Sequence, residues 1–265
     1  DSNFATLPMV VKEGRRVINN IQKVATLFLT KTVFTFLLVL LVIIRGGATY
    51  PIQTIQLSYY DFPIITIPAY YFAAFESNMN RIKGHFLFNV LFSAIPGAFL
   101  VGLNYIVILM FSSRLGMSAA AISTTTVLTT AVVGFYVLYA VSQPFNRWRK
   151  IIFALSILTF LLMVVFLHDL FEISELKNLS TGNFLLILVI AQYSYIVLSL
   201  FHRGSMQVKN WIIRFSYWRK DRKQRRLKKK RAQARAKQKK QRIKKEAKKK
   251  KKEVEQQQID QSSIE

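Results

Sequence analysis

The sequence predicts an all-α membrane protein, a six-helix transmembrane bundle with a cytoplasmic N-terminal helical extension and a basic C-terminal tail. Three observations lead there. Long apolar runs recur as far as Leu200; 52% of residues are hydrophobic although the net charge is +25; and 25 of the 38 Lys and Arg residues lie between Arg203 and Lys252. So apolar and basic a composition is self-consistent only when the two properties occupy different stretches of chain. The absence of cysteine excludes a disulfide framework, a thiolate metal site and a thiol nucleophile. The chain begins at Asp1 without the basic and small-residue signals of a leader peptide, which reads as the start of a fragment or of numbering within a longer chain.

Residues 1–23 are expected to form a helical stalk. Thr6-Leu7-Pro8 marks a helix start, because proline in the first turn lacks only an N–H that would have no partner there. From Met9 to Lys23 apolar and charged residues alternate at helical spacing, and the helix should run on into the first span, residues 24–44. A continuous rod of this kind would stand about 20 Å out of the bilayer. Gly14 is the one local argument against it. The other spans are residues 52–75, 86–111, 118–141, 148–167 and 184–201, each long enough for a hydrocarbon core of roughly 30 Å. Pro63 and Pro68 interrupt the second and free backbone carbonyls, which survive in a membrane only against protein or a polar cavity. In the fourth, Thr126, Thr130 and Gly134 repeat every four residues and put small groups on one packing face. The three domains are then the stalk, the bundle over 24–202, and the tail over 203–265.

The basic residues at the span ends set the orientation. With the N-terminus inside, the cytoplasmic segments hold Lys12, Arg15, Arg16, Lys23, Arg81, Lys83, Arg147, Arg149, Lys150 and the tail, whereas the outer loops hold only Arg45, Arg114 and Lys177. Both termini are therefore expected in the cytoplasm, the chain crossing a plasma membrane.

The stretch Asp1-Ser-Asn-Phe-Ala-Thr-Leu-Pro8, followed by Val11-Lys-Glu-Gly-Arg-Arg-Val-Ile-Asn-Asn-Ile21, resembles the passage from the phosphorylation domain into the fifth membrane helix of P-type cation ATPases. Ala25 to Val33 is similar to that helix in a bacterial branch, and Thr66 to Phe72 with Glu76-Ser-Asn78 resembles the end of the sixth helix and the following loop. Ser77 departs from the proline usual there. The resemblance covers roughly residues 1–200 and implies the last six of the family's ten helices. It implies ATP-driven cation transport, with ATP and magnesium used by domains outside this chain. No cofactor is expected on this chain itself, and its partner is the upstream catalytic part of the pump, in the same or a separate polypeptide. The sequence has no Asp-Lys-Thr-Gly-Thr phosphorylation motif, so no catalytic residue is assigned within it and ATP hydrolysis is not expected of it alone. The resemblance also makes Glu13, Arg15 and Arg16 the stalk residues that couple to the catalytic domains.

The family holds cations with oxygen ligands, a set suited to calcium or magnesium. The candidates are Thr30, Lys31 and Thr35 on one stretch of the first span, and Asp61, Pro63, Thr66 and Pro68 on the second. Asp61 reads either as a ligand or as an interfacial residue near the outer end. Lys31 reads either as a built-in cation in the bundle interior or as an anchor reaching the interface. Asn89, Asn104, Ser123 to Thr126 and Gln192-Tyr193-Ser194 read as interhelical hydrogen-bonding groups. In the tail, Trp211, Trp218, Arg219, Lys220, Arg225 and Arg226 would meet anionic lipid headgroups, with RNA or ribosome phosphates the alternative. A membrane insertase with a ribosome-binding tail, or a scaffold without transport activity, are the competing function classes.

Overall fold

The computed structural model describes residues 6–47, 49–79, 85–177, 179–208, 210–212, 214–215, 218–219 and 222. The chain divides into two compact units, Asp1–Lys209 and Asn210–Glu265. No strand occurs among the described residues.

Helix α1 runs unbroken over Leu7–Ile44, 38 residues, with Thr6 at its N-cap and Pro8 in the first turn. At 1.5 Å per residue it is about 57 Å long. Gly14 does not interrupt it, since helical conformation costs a glycine only about 1 kcal/mol against alanine and long flanking segments absorb that. The residues before Asn19 are almost all exposed, whereas Leu27, Thr30, Phe34, Leu38 and Val42 form a buried stripe at near four-residue spacing. Gly46 and Gly47, both at positive φ, end the helix by returning their N–H groups to the carbonyls of Ile43 and Val42.

The second span is jointed. A 3₁₀ turn (Ile55–Leu57), the short α2 (Ser58–Tyr60), a π-helical segment (Asp61–Thr66) and α3 (Ile67–Ala74) follow one another. Pro63 and Pro68 explain the joints, because neither can donate to the carbonyl four residues back, that of Tyr59 or Ile64. Helices α4 (Phe86–Ser112), α5 (Ala119–Ser142), α6 (Arg147–Phe166) and α7 (Thr181–Ile212) complete the set. Ser118 and Asn146 cap α5 and α6 by accepting from the N–H groups of Ala121 and Arg149. Among the described residues five helices, rather than six, are individually long and apolar enough to cross a membrane, and the jointed segment supplies the sixth apolar stretch. The helix Thr181–Ile212 contains the sixth expected span, residues 184–201.

Helix α1 packs chiefly on α4 and α3, and α5 lies against α4, α6 and the jointed segment. Close approach depends on two glycines. A Cβ at Gly97 would strike the Val137 side chain, and one at Gly134 would fall on the Tyr60 ring and 2.8 Å from Cδ1 of Ile64. Thr126 and Thr130, two turns and one turn before Gly134, are buried too, so the small-residue face predicted for the fourth span lies inside the bundle. The expected interhelical polar contacts also form. The Asn104 amide donates to Ser194 at 3.1 Å and accepts from the Tyr193 hydroxyl at 2.5 Å, and Ser123 donates to Gln56 at 2.8 Å.

Candidate functional site

Two charged clusters lie along α1. The inner one joins Lys31 to Asp61, Nζ to Oδ2 at 2.5 Å, the side chains remaining 28% and 37% exposed. Asp61 opens the π-helical segment, where the backbone departs from α geometry, and the edge-to-face contact of Tyr60 with Phe34 clamps that joint against α1. The pairing brings Asp61 against Lys31, the eighth residue of the first predicted span. Asp61 Oδ1 is buried and has no hydrogen-bond partner among the described residues. An ion pair of this kind neutralises two groups that would each be expensive alone at this depth. The lysine ammonium occupies one oxygen of the carboxylate and leaves the other without a partner among the described residues.

Around the pair, Thr30 is buried and spends its hydroxyl on the Thr26 carbonyl at 2.8 Å. Thr35, one turn beyond Lys31, is half-buried. Pro63 and Pro68 are buried, but Thr66 is exposed, so the carbonyl-freeing prolines face the bundle while the threonine hydroxyl between them lies on the outside.

The outer cluster sits where α3 ends. Glu76 accepts from Arg149 Nε at 2.7 Å and Nη2 at 2.6 Å, and from Lys23 Nζ at 3.4 Å. Its side chain is 3% exposed, that of Arg149 7% and that of Lys23 14%. Arg149 also donates to the backbone carbonyls of Ser142 and Pro144, and Lys23 lies over the Phe72 ring at 4.8 Å. Asn20 and Asn19 donate to the carbonyls of Glu76 and Asn78 at 3.0 and 2.9 Å. Burial by itself pushes the Glu76 carboxyl up, but the Arg149 hydrogen bond and the charges of Lys23 and Arg149 outweigh it and the group ends below its usual value. Burial lowers the Lys23 ammonium, the attraction of Glu76 notwithstanding. A fork of two charge-assisted bonds held by three neighbouring elements is a fixed joint between the stalk base, the loop after α3 and the start of α6.

The chain is 35% identical over 176 residues to the calcium-transporting ATPase CtpE of Mycolicibacterium smegmatis, 62% of this chain and 22% of that protein. It is 30% identical over 187 residues to the probable cation-transporting ATPase exp7 of Streptococcus pneumoniae, 67% of this chain and 24% of that one. The chain is a homologue of cation-transporting P-type ATPases. CtpE of Mycobacterium bovis matches at 35% over 163 residues, 56% of this chain and 20% of its own length. The matched region thus spans about a quarter or less of these relatives. No family model and no solved structure matches the chain. With these P-type homologues and several helices able to span, this is a multi-pass membrane protein.

Against that P-type background the predicted residues separate. Lys31 and Asp61, singled out on different spans, come together, with Thr30 and Thr35 on the same helix as Lys31, and Pro63 and Pro68 in the segment that follows Asp61. The stalk residues stay apart from both clusters. Arg16 pairs with Glu13 at 2.5 Å on the exposed surface, and Arg15 is half-buried. In the second unit, Trp211, Phe215 and Trp218 stack at 5.7 and 5.6 Å between centroids, Arg222 lies 4.1 Å over Trp218, and Arg219 is exposed. Lys220, Arg225 and Arg226 lie outside the described residues. Sequence reasoning missed the roles of Glu76 and Arg149. Glu76 had entered only as part of a resemblance and Arg149 only as a marker of orientation, though a lone acid between two basic segments was a signal that it had a partner.

Proposed function

We propose that the chain is the membrane half of an ATP-driven cation pump of the P-type family and forms part of its ion path, without phosphorylation or nucleotide domains of its own. The intramembrane pair Lys31–Asp61 carries this reading. With Lys31 on Asp61 the carboxylate is occupied and the path is closed to cations. A movement of the stalk that shifts α1 against the jointed segment withdraws the ammonium, and Asp61, with carbonyls loosened by Pro63 and Pro68, becomes an oxygen site for a hard cation. Return of Lys31 then expels the ion by like-charge repulsion. The partial exposure of the pair leaves room for ligands from helices outside this chain, and the short coverage of the relatives supports that. Calcium is the cation named for CtpE, and we take it as the first to test. ATP and magnesium act on the catalytic portion, to which Glu13, Arg15 and Arg16 on the stalk are the coupling surface.

The test is calcium uptake by the complete pump in vesicles. Asp61→Asn should lower apparent calcium affinity by at least about tenfold, the order that even loss of a residue supporting a ligand can cause. Unchanged affinity removes Asp61 from the path. The distribution of basic residues supports a cytoplasmic location for both termini, and the bacterial relatives support a bacterial plasma membrane as the one crossed. Because the chain has no cysteine, Val10→Cys and Leu170→Cys can be labelled with an impermeant maleimide, the first only from inside and the second only from outside. The stacked Trp211, Phe215 and Trp218 with Arg219 and Arg222 suit the interface of an anionic leaflet, where aromatic faces and cations are both favoured.

A further inference from the structure

A cavity of about 530 Å³ lies among α1, α4, α5 and α7, within the range, roughly 300–1,000 Å³, of ligand pockets. Its walls are mainly apolar, with Val137, Ala140, Val141 and Leu198 among them, and Tyr136 and Tyr195 beside them. One edge carries Lys23 and Arg203. Lys23 belongs to the outer charged cluster, and that cluster does not balance. One carboxylate, Glu76, faces two cations, Lys23 and Arg149, and all three side chains are at most 14% exposed. An uncompensated buried positive charge is unfavourable unless an anion meets it. Arg203 adds a second positive charge at the cavity and makes no ion pair or hydrogen bond among the described residues. An apolar chamber edged by a surplus of positive charge, inside a membrane bundle, has the shape and polarity of an anionic amphiphile.

We propose that this cavity binds one anionic phospholipid, its phosphate at Lys23 and Arg203 and an acyl chain along Val137, Ala140 and Leu198. The site is independent of the transport reading and of the aromatic stack in the second unit. It requires only that the bundle be in a membrane.

The full chain, reconstituted in nanodiscs, is exposed to a phosphatidylglycerol carrying a photoreactive acyl chain, and the crosslinked peptides are mapped. Crosslinks are expected in residues 136–143 and 195–203, displaced by unlabelled phosphatidylglycerol but not by phosphatidylcholine or inorganic phosphate. Arg203→Gln, on an exposed side chain, should weaken displacement by about fivefold, the loss expected for one cation near a headgroup. Ala140→Trp should fill the chamber and abolish the crosslinks, and if it does not fold the decision rests on Arg203→Gln. Trp211→Ala with Trp218→Ala should leave these crosslinks unchanged. Equal displacement by phosphatidylcholine, displacement by phosphate alone, or unaltered displacement in Arg203→Gln would overturn the proposal.

Discussion

The two charged clusters on α1 differ in almost every respect that governs how easily they open. The Glu76 cluster is nearly sealed, forked through Arg149, and tied by backbone carbonyls to three elements. The Lys31–Asp61 pair is a single contact, about a third exposed, mounted on irregular backbone. The first would leave two buried cations without their shared anion wherever it broke, whereas the second is one contact whose opening parts a single carboxylate from a single ammonium. One helix is thus held tightly at its base and by a single contact eight residues further on.

The largest effect should come from breaking the anchor. Glu76→Gln leaves Lys23 and Arg149 buried without their anion and should destabilise the bundle by about 3–5 kcal/mol, read as denaturant or thermal unfolding in detergent. The same group sets an acid limit. Its carboxyl sits below the ordinary value in the folded state, so its contribution is complete above the unfolded pKa, about 4.3, and is lost as pH falls through the folded one. Acid unfolding should show that component in the wild type and lack it in Glu76→Gln.

Next in size is the floor beneath the switch. Gly134→Ala would drive a methyl into Tyr60 and Ile64 and should cost about 1–3 kcal/mol by overpacking. Because those side chains flank Asp61, it should also alter calcium uptake, whereas Gly14→Ala, with open space around it, should leave both unchanged. Lys31→Met and Asp61→Asn should each disturb stability less than Glu76→Gln, and their double-mutant cycle should give a smaller coupling than that of Glu76 with Arg149, since one contact rather than a fork joins them. A coupling as large as that between Glu76 and Arg149 would erase the contrast. Least of all, Arg16→Ala on the exposed stalk should leave the unfolding temperature within error, and any loss of ATP-driven uptake would then report on coupling alone.

Much of the bundle was legible because its cues are local. Pro8 after Thr6 marks a helix start, Pro63 and Pro68 mark joints, and the spacing of Thr126, Thr130 and Gly134 marks a face. Lys31 and Asp61 could each be singled out, since an ionised group in an apolar run is rare, but nothing in their spacing says that they meet. Their contact depends on how the jointed segment turns against α1. Arg149 and Glu76 were harder, being 73 positions apart and at span ends, where charge is ordinary. Only the packing of α6 beside the loop after α3 distinguishes a sealed pair from two solvated residues.

The π-helical turn over Asp61–Thr66 has a consequence of handedness and phase. In an α-helix each residue advances the chain by about 100° around its axis, and a π turn holds more residues per revolution than an α turn. Tightening it to α geometry would therefore reset the azimuth of everything that follows, swinging Pro68, Tyr71 and Phe72 toward different neighbours while α1 stayed in place. The short segment thus sets the azimuth at which the whole helix downstream of Asp61 meets its neighbours.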